Sequence, residues 1–210
     1  MQDMELEFQQ LDLRYESLRS RQAKRERDLL ASLALDGQLL PIVVVYDEGM
    51  QRYVVVDGYK RVRAQRRLGH DCVRATVWSM SQSEALLLLD QLMRSGGANP
   101  FQDAWLLREL QTQFGLSLDE LSRRFDKSIS WVSRRLALIV ELPEDIQSRI
   151  RAGEIGAHTA MKYLVPLARA NADDCSKLAA SIAGEQLSTR DVSSLYAAYK
   201  DGDKERQQRV

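Results

Sequence analysis

The first half of the chain alternates between two hydrophobic periods. Leu29, Leu30, Leu33 and Leu35 fall on helical spacing within Lys24 to Leu35, and Gly37 follows as a C-terminal stop. PIVVVYD, Pro41 to Asp47, is a β-branched run that predicts a buried strand. EGM supplies a turn, and RYVVVDG, Arg52 to Gly58, predicts a second strand paired with the first as a hairpin. Tyr59 to Leu68 is helical in pattern, with Ala64 and Leu68 on an inward side and Gly69 at its end. Cys72 to Trp78 places Val73, Ala75 and Val77 on one face and predicts a third strand. Ser81 to Met93 is a leucine-rich helix.

SGGANP, Ser95 to Pro100, breaks this pattern. Its glycines stop the preceding helix, and Asn99 can cap a new one begun by Pro100. Beyond it the apolar spacing predicts helices only, at 101–115, 118–125, 129–140, 144–152, 157–168, 172–183 and 188–199. The expected fold class is α+β. A small mixed α/β domain occupies 1–94, a hinge 95–100, an all-α domain 101–200, and a polar tail 201–210.

Composition narrows the function. The chain has 210 residues, 44% of them hydrophobic, which suffices for a sizeable core. Thirty basic residues balance thirty acidic ones, so any basic surface has to be local. Cys72 and Cys175 are too far apart in sequence for a disulfide framework or a zinc spacing, and fit a reducing cytoplasm. The acidic start MQDMELEFQQ is not expected to be a signal peptide, and the apolar runs are too short to span a bilayer. No nucleophile elbow, Walker A loop or H-E-x-x-H is present.

Two stretches carry candidate chemistry. The first is GLSLDELSRRFDKSISWVSRRLALI, with a helix-turn-helix at 117–139. Ser117 and Glu120 form a capping box, Leu121 and Phe125 share one side, and Ser122 is small where two helices would cross. Asp126 to Ser128 is the turn, and Val132, Leu136 and Ile139 give the second helix its inward face. On such a unit Arg134 can fork onto a guanine edge, while Ser130, Trp131 and Ser133 lie on or near the outward side. Arg123, Arg124, Lys127 and Ser128 suit phosphates. An ordinary αα-hairpin with a solvated basic face has the same pattern. Asp126 stands where the turn glycine is usual, and Arg135 where an apolar residue is common, so the second helix could be rotated or extended.

The second stretch, VDGYKRVRAQRRLG, holds Lys60, Arg61, Arg63, Arg66 and Arg67 with no acid among them. Gly58 at a strand end allows close backbone approach, and the helix start offers N–H groups to an anion. At about 100° per residue Lys60, Arg63 and Arg67 share a stripe, whereas Arg61 aligns with Ala64 and Leu68. An inward arginine needs a partner, and a bound phosphate would be one. The other reading is a solvated helix whose Arg61 snorkels outward.

The order of these parts resembles the ParB family of partition proteins, over Gln38 to Leu167. The family's G-E-R-R-x-R-A box stands here as Gly58, Tyr59, Lys60, Arg61, Val62, Arg63 and Ala64. Its E-N-x-x-R helix and following N-P are similar to Asp90, Gln91 and Arg94, then Asn99 and Pro100. Leu142, Pro143 and Glu144, then Gly156, Ala157 and His158, follow its later blocks. The resemblance implies a cytoplasmic protein, at the nucleoid or a plasmid, that binds double-stranded DNA and, through its first domain, CTP with Mg2+. It implies a homodimer, at least transient, that closes into a sliding clamp, with a partner ATPase or the transcription machinery as further contacts. Gly58, Tyr59, Lys60 and Arg61 would meet the triphosphate, Asp90 and Gln91 the metal and phosphates, with Asp90 the metal ligand, and Arg94 the hinge.

Three departures shape the expectation. Tyr59 replaces the glutamate implicated in hydrolysis, and a phenol with a reference pKa of about 10 is no general base at neutral pH. Nucleotide binding without efficient hydrolysis, at most a weak CTPase, follows. Glu-Asn has become Asp-Gln, a pair of different reach. The family's C-terminal dimerisation domain has no counterpart in the helices after Ala172. The expected role is a regulator or clamp of a plasmid, chromosome or mobile element. The alternatives are a helix-turn-helix transcription regulator with a degenerate nucleotide site, and a ParB-like nuclease.

Overall fold

The structure is a computed structural model and describes residues 2–93, 99–183 and 190–198. Five strands form one sheet: β1 (Gln2–Glu7), β2 (Leu11–Asp12), β3 (Ile42–Asp47), β4 (Arg52–Asp57) and β5 (Cys72–Val77). Their order is β1-β5-β3-β4-β2. β3 and β4 pair antiparallel, with a register shift between Val43 and Val44, and β5 lies parallel to β3 on the other side. α1 (Ala23–Asp36) and α2 (Tyr59–Arg67) pack together beside the sheet, and α3 (Gln82–Met93) packs on β4.

The hairpin, β5 and these three helices match the expected elements. The two edge strands are additional. Met4, Leu6 and Phe8 alternate with Asp3, Glu5 and Glu7, so β1 buries Leu6 and presents acids to solvent. Charged outward positions also keep a strand edge from pairing with other chains.

Past Pro100 the described residues contain helices and no strand. They are α4 (Pro100–Phe114), α5 (Leu118–Phe125), α6 (Ile129–Glu141), α7 (Glu144–Ala152), α8 (Ala157–Thr159), α9 (Val165–Ala170) and α10 (Ala172–Ile182). Residues 190–198 are also helical. Asn99 Oδ1 accepts from the Phe101 and Gln102 amides, as the N-cap pattern predicts. α8 and α9 are one helix joined by a π-turn over Ala160–Leu164. Pro166 has no N–H to donate to the Lys162 carbonyl, and the wider turn absorbs that defect. Of the hinge expected at 95–100, residues 95–98 lie outside the described residues.

One continuous core joins the sheet to the helices, running from Leu6, Val44 and Val55 to Phe101, Trp105 and Ile146. Within it Gln147 is 4% exposed and fully bonded. Its Nε2 donates to the Ile139 and Leu142 carbonyls, both at 2.9 Å, and its Oε1 accepts from Trp105 Nε1 at 3.0 Å. These carbonyls belong to the last turn and cap of α6, which have no partner inside the helix. Gln147→Leu therefore leaves three groups unsatisfied. It is expected to cost about 2–4 kcal/mol, read as a lower urea midpoint with unchanged slope.

Candidate nucleotide cavity and DNA-facing helix

β4 passes into α2 through Gly58, which caps the helix at φ +101°. A Cβ there would lie 2.6 Å from Ile42 Cγ2, so both backbone angle and space require glycine. α2 then buries Tyr59, Val62, Ala64 and Gln65. Leu68 is only half-buried, so the inward face is turned toward Val62 relative to the expected Ala64–Leu68 side. The Tyr59 hydroxyl donates to the Val55 carbonyl, and burial pushes its pKa well above the usual phenol value.

The basic residues of α2 have different fates. Arg61 Nη2 meets Asp57 Oδ2 at 3.1 Å, a partner within the chain where a phosphate was one candidate. Arg63 binds Glu16 and, at 2.6 Å, Glu26. It is therefore clamped under the 3-10 turn Arg14–Leu18 and α1, and does not share a solvated stripe with Lys60 and Arg67. Arg66 stacks over the Phe8 ring at 4.9 Å, and Arg67 is exposed. Burial, and after it the nearby Arg25 charge, lower the Lys60 pKa from its ordinary value.

These elements enclose a cavity of about 700 Å³. Gly58, Tyr59, Lys60 and Arg61 form one wall, residues 13–22 and the start of α1 a second, and Gln102, Arg151 and Ala152 of the helical region a third. Eight of its lining residues are basic and two, Glu16 and Asp57, are acidic. Both acids are already paired with arginines. Among the described residues no carboxylate pairs with Arg19, Arg21, Arg25 or Lys60. The size and charge suit a phosphorylated nucleotide. Residues 19–25 were the missed contributor. RSRQAKR, Arg19 to Arg25, is a basic run visible in the sequence, but its relation to Gly58 is made only by folding.

Asp90 and Gln91 are not in the cavity wall. Both lie on α3, and Gln91 Nε2 reaches the Arg124 carbonyl of α5 at 3.5 Å. The Gln91 amide is thus directed toward the helical region. Arg94 lies outside the described residues. The cavity and the helical region also meet through the backbone. Arg21 N donates to the Arg151 carbonyl at 2.7 Å, and Gly153, at φ +80°, has no room for a Cβ beside the Arg21 carbonyl. Arg151 pairs with Glu144 and lies over the Trp105 ring at 4.7 Å.

The helix-turn-helix forms over the expected residues. The Ser117–Glu120 capping box closes α5, and the Ser128 hydroxyl accepts from the Trp131 amide at the start of α6. Asp126 takes the left-handed conformation, φ +51°, that a turn glycine would adopt. Ser122 Oγ donates to the Lys127 carbonyl at 2.5 Å and ties the turn down. Leu121, Phe125, Val132 and Ile139 are buried. Arg123, Arg124, Lys127, Ser128, Ser130, Ser133 and Arg134 are all exposed on the opposite side. Trp131 is half-buried, with its ring 6.3 Å from Phe125. Arg135 stacks on Trp131 at 5.0 Å and bonds Asp103 of α4 at 3.2 Å, which is how an arginine is tolerated at an inward position.

The family model described as the ParB HTH domain matches residues 97–201, half of the chain, and that of the ParB N-terminal domain matches residues 2–90. The chain belongs to the ParB family. A probable chromosome-partitioning protein ParB of Mycobacterium leprae is 32% identical over 168 residues, covering 78% of this chain and 49% of that protein. The corresponding Neisseria meningitidis protein is 31% identical over 142 residues, covering 66% and 49%. This ParB-family chain spans about half the length of these curated relatives. The solved Pnob8-like ParB-N domain covers 97% of this chain at 12% identity with a TM-score of 0.52, a likeness of fold. No helix among the described residues is long and apolar enough to cross a membrane.

The Gly58 corner gives a direct test. Gly58→Ala is expected to lower stability by about 1–3 kcal/mol. Gly37→Ala, at φ +69° with open space around it, should cost less, about 1 kcal/mol. Urea unfolding of both variants checks the difference.

Proposed function

We propose that this ParB-family chain is a sequence-specific double-stranded DNA-binding protein whose cavity takes CTP, acting as a regulator or clamp of a plasmid, chromosome or mobile element. The observation that carries this reading is the cationic cavity around Gly58, one wall of which belongs to the helical region bearing the helix-turn-helix. A nucleotide there touches both parts, so its binding free energy can depend on how they sit. Gly58, Lys60 and Arg61 contact the phosphates. Arg134 and the α6 serines face bases, with Arg123, Arg124 and Lys127 on phosphates. The chain works in the cytoplasm as a homodimer, at least transiently, with a partner ATPase or the transcription machinery as a further contact.

Tyr59 favours binding over turnover. Its hydroxyl is held by the Val55 carbonyl and its raised pKa keeps it neutral, so it cannot deprotonate a water at neutral pH. CTP hydrolysis is therefore weak or absent on this reading.

Calorimetry in magnesium buffer should give a saturable CTP isotherm. Arg61→Ala should weaken it by roughly tenfold to a hundredfold, the range for one charge-assisted contact. Absence of heat and of any thermal shift with CTP would remove the nucleotide from the reading. Selection from a random DNA pool supplies the site for the second test. On it Arg134→Ala should cost about 1–3 kcal/mol and relax one position, while Lys127→Ala weakens all sequences alike. Equal binding by wild type and both variants would dismiss the helix-turn-helix as the reader.

A further inference from the structure

The resemblance to the family brings Mg2+ with CTP, and the side chains around this cavity do not suit it. A magnesium ion that bridges phosphates is itself held by one or two carboxylates. The wall offers Asp57 and Glu16, and each already neutralises an arginine. Asp90 stands on α3 outside the wall, and the Gln91 amide is directed to α5. Among the described residues no group of three or more His, Cys, Asp or Glu side chains is disposed to hold a metal.

The cations have the opposite distribution. Arg19, Arg21, Arg25 and Lys60 line the same cavity from two sides, and none has a carboxylate partner among the described residues. A dication entering would meet like charge, whereas a polyphosphate would find donors already in place.

We propose that the cavity takes a polyphosphate as the metal-free anion, neutralised directly by Arg19, Arg21, Arg25 and Lys60 in place of a divalent cation. The polyphosphate is that of a nucleoside triphosphate, which rests on the CTP reading above. Arg19 and Arg25 supply charge from the N-terminal segment, and Lys60 from the Gly58 corner. Asp57, on this proposal, competes with the ligand for Arg61 and does not bind metal.

The test is calorimetric titration of the full chain with CTP in EDTA and in Mg2+. The dissociation constant in EDTA should equal or fall below that in Mg2+, to within about threefold. The double variant Arg19→Ala/Arg25→Ala should weaken binding in EDTA by roughly tenfold or more, with an unchanged melting midpoint because neither residue has an ion pair among the described residues. Asp57→Asn should bind as well or more tightly, the reverse of removing a metal ligand. CTP binding that needs Mg2+, or that drops roughly tenfold in EDTA, overturns the proposal. Inorganic tripolyphosphate in EDTA separates the two readings. If it binds and the double variant loses it while CTP never binds, the anion site stands and the CTP reading falls. If neither ligand binds in EDTA, the metal-free site is wrong.

Discussion

The chain turns from β4 into α2 directly over the side chain of Ile42, and the rest of the site depends on that approach. The backbone there takes φ +101° with no space for a side-chain carbon, so a single glycine governs where α2 begins. Its first residue, Tyr59, is driven into the core and anchored on Val55, two residues before the end of the strand it has just left. Arg61, one turn behind Gly58, folds back onto Asp57. A hydrophobic contact between glycine and isoleucine thus decides where the guanidinium groups of the next turn are held.

Charge in the cavity is a matter of pairing more than of composition. The chain carries no net charge, yet one concavity collects eight basic residues and two acids. Three acids near the cavity, Asp12, Glu16 and Glu26, are each held by an arginine. Arg14 binds Asp12 and holds its carboxyl below the usual carboxylate range, while Glu16 and Glu26 go to Arg63. What lines the cavity without a carboxylate partner among the described residues is positive: Arg19, Arg21, Arg25 and Lys60. Charges of one sign gathered along a concavity raise the local concentration of an anion.

The helical region is attached to this wall by groups that tolerate little displacement. The Arg21–Arg151 backbone bond and the close approach at Gly153 dock the end of α7, and Arg151 is wedged between Glu144 and Trp105. Trp105 in turn donates to Gln147, which satisfies the last carbonyls of α6, and Asp103 on the same helix holds Arg135. α4 is therefore bonded both to the helix that borders the cavity and to the helix that carries Arg134. This is a contiguous physical connection between a candidate ligand site and a candidate DNA surface, made of packed side chains with few alternatives.

Local pattern determined most of the elements. Capping at Ser117, Ser128 and Asn99, the stops at Gly37 and Gly69, and the β-branched runs of β3 and β4 act within a turn or a strand, so they are visible in a single stretch of chain. The edge strand β1 shows its alternation in the sequence, but its pairing with β5, about 70 residues on, exists only in the fold. Tertiary structure alone decided which charges face each other. Arg19, Arg21 and Arg25 line one cavity with Lys60 and Arg151 only because the sheet order and the docking of α7 bring distant segments together. The same long-range packing leaves Asp90 and Gln91 out of the cavity wall, directs the Gln91 amide to α5, and sets the buried face of α2 on Val62. Hydrophobic period and capping are properties of neighbours in sequence. The sign and size of an electrostatic site are properties of neighbours in space.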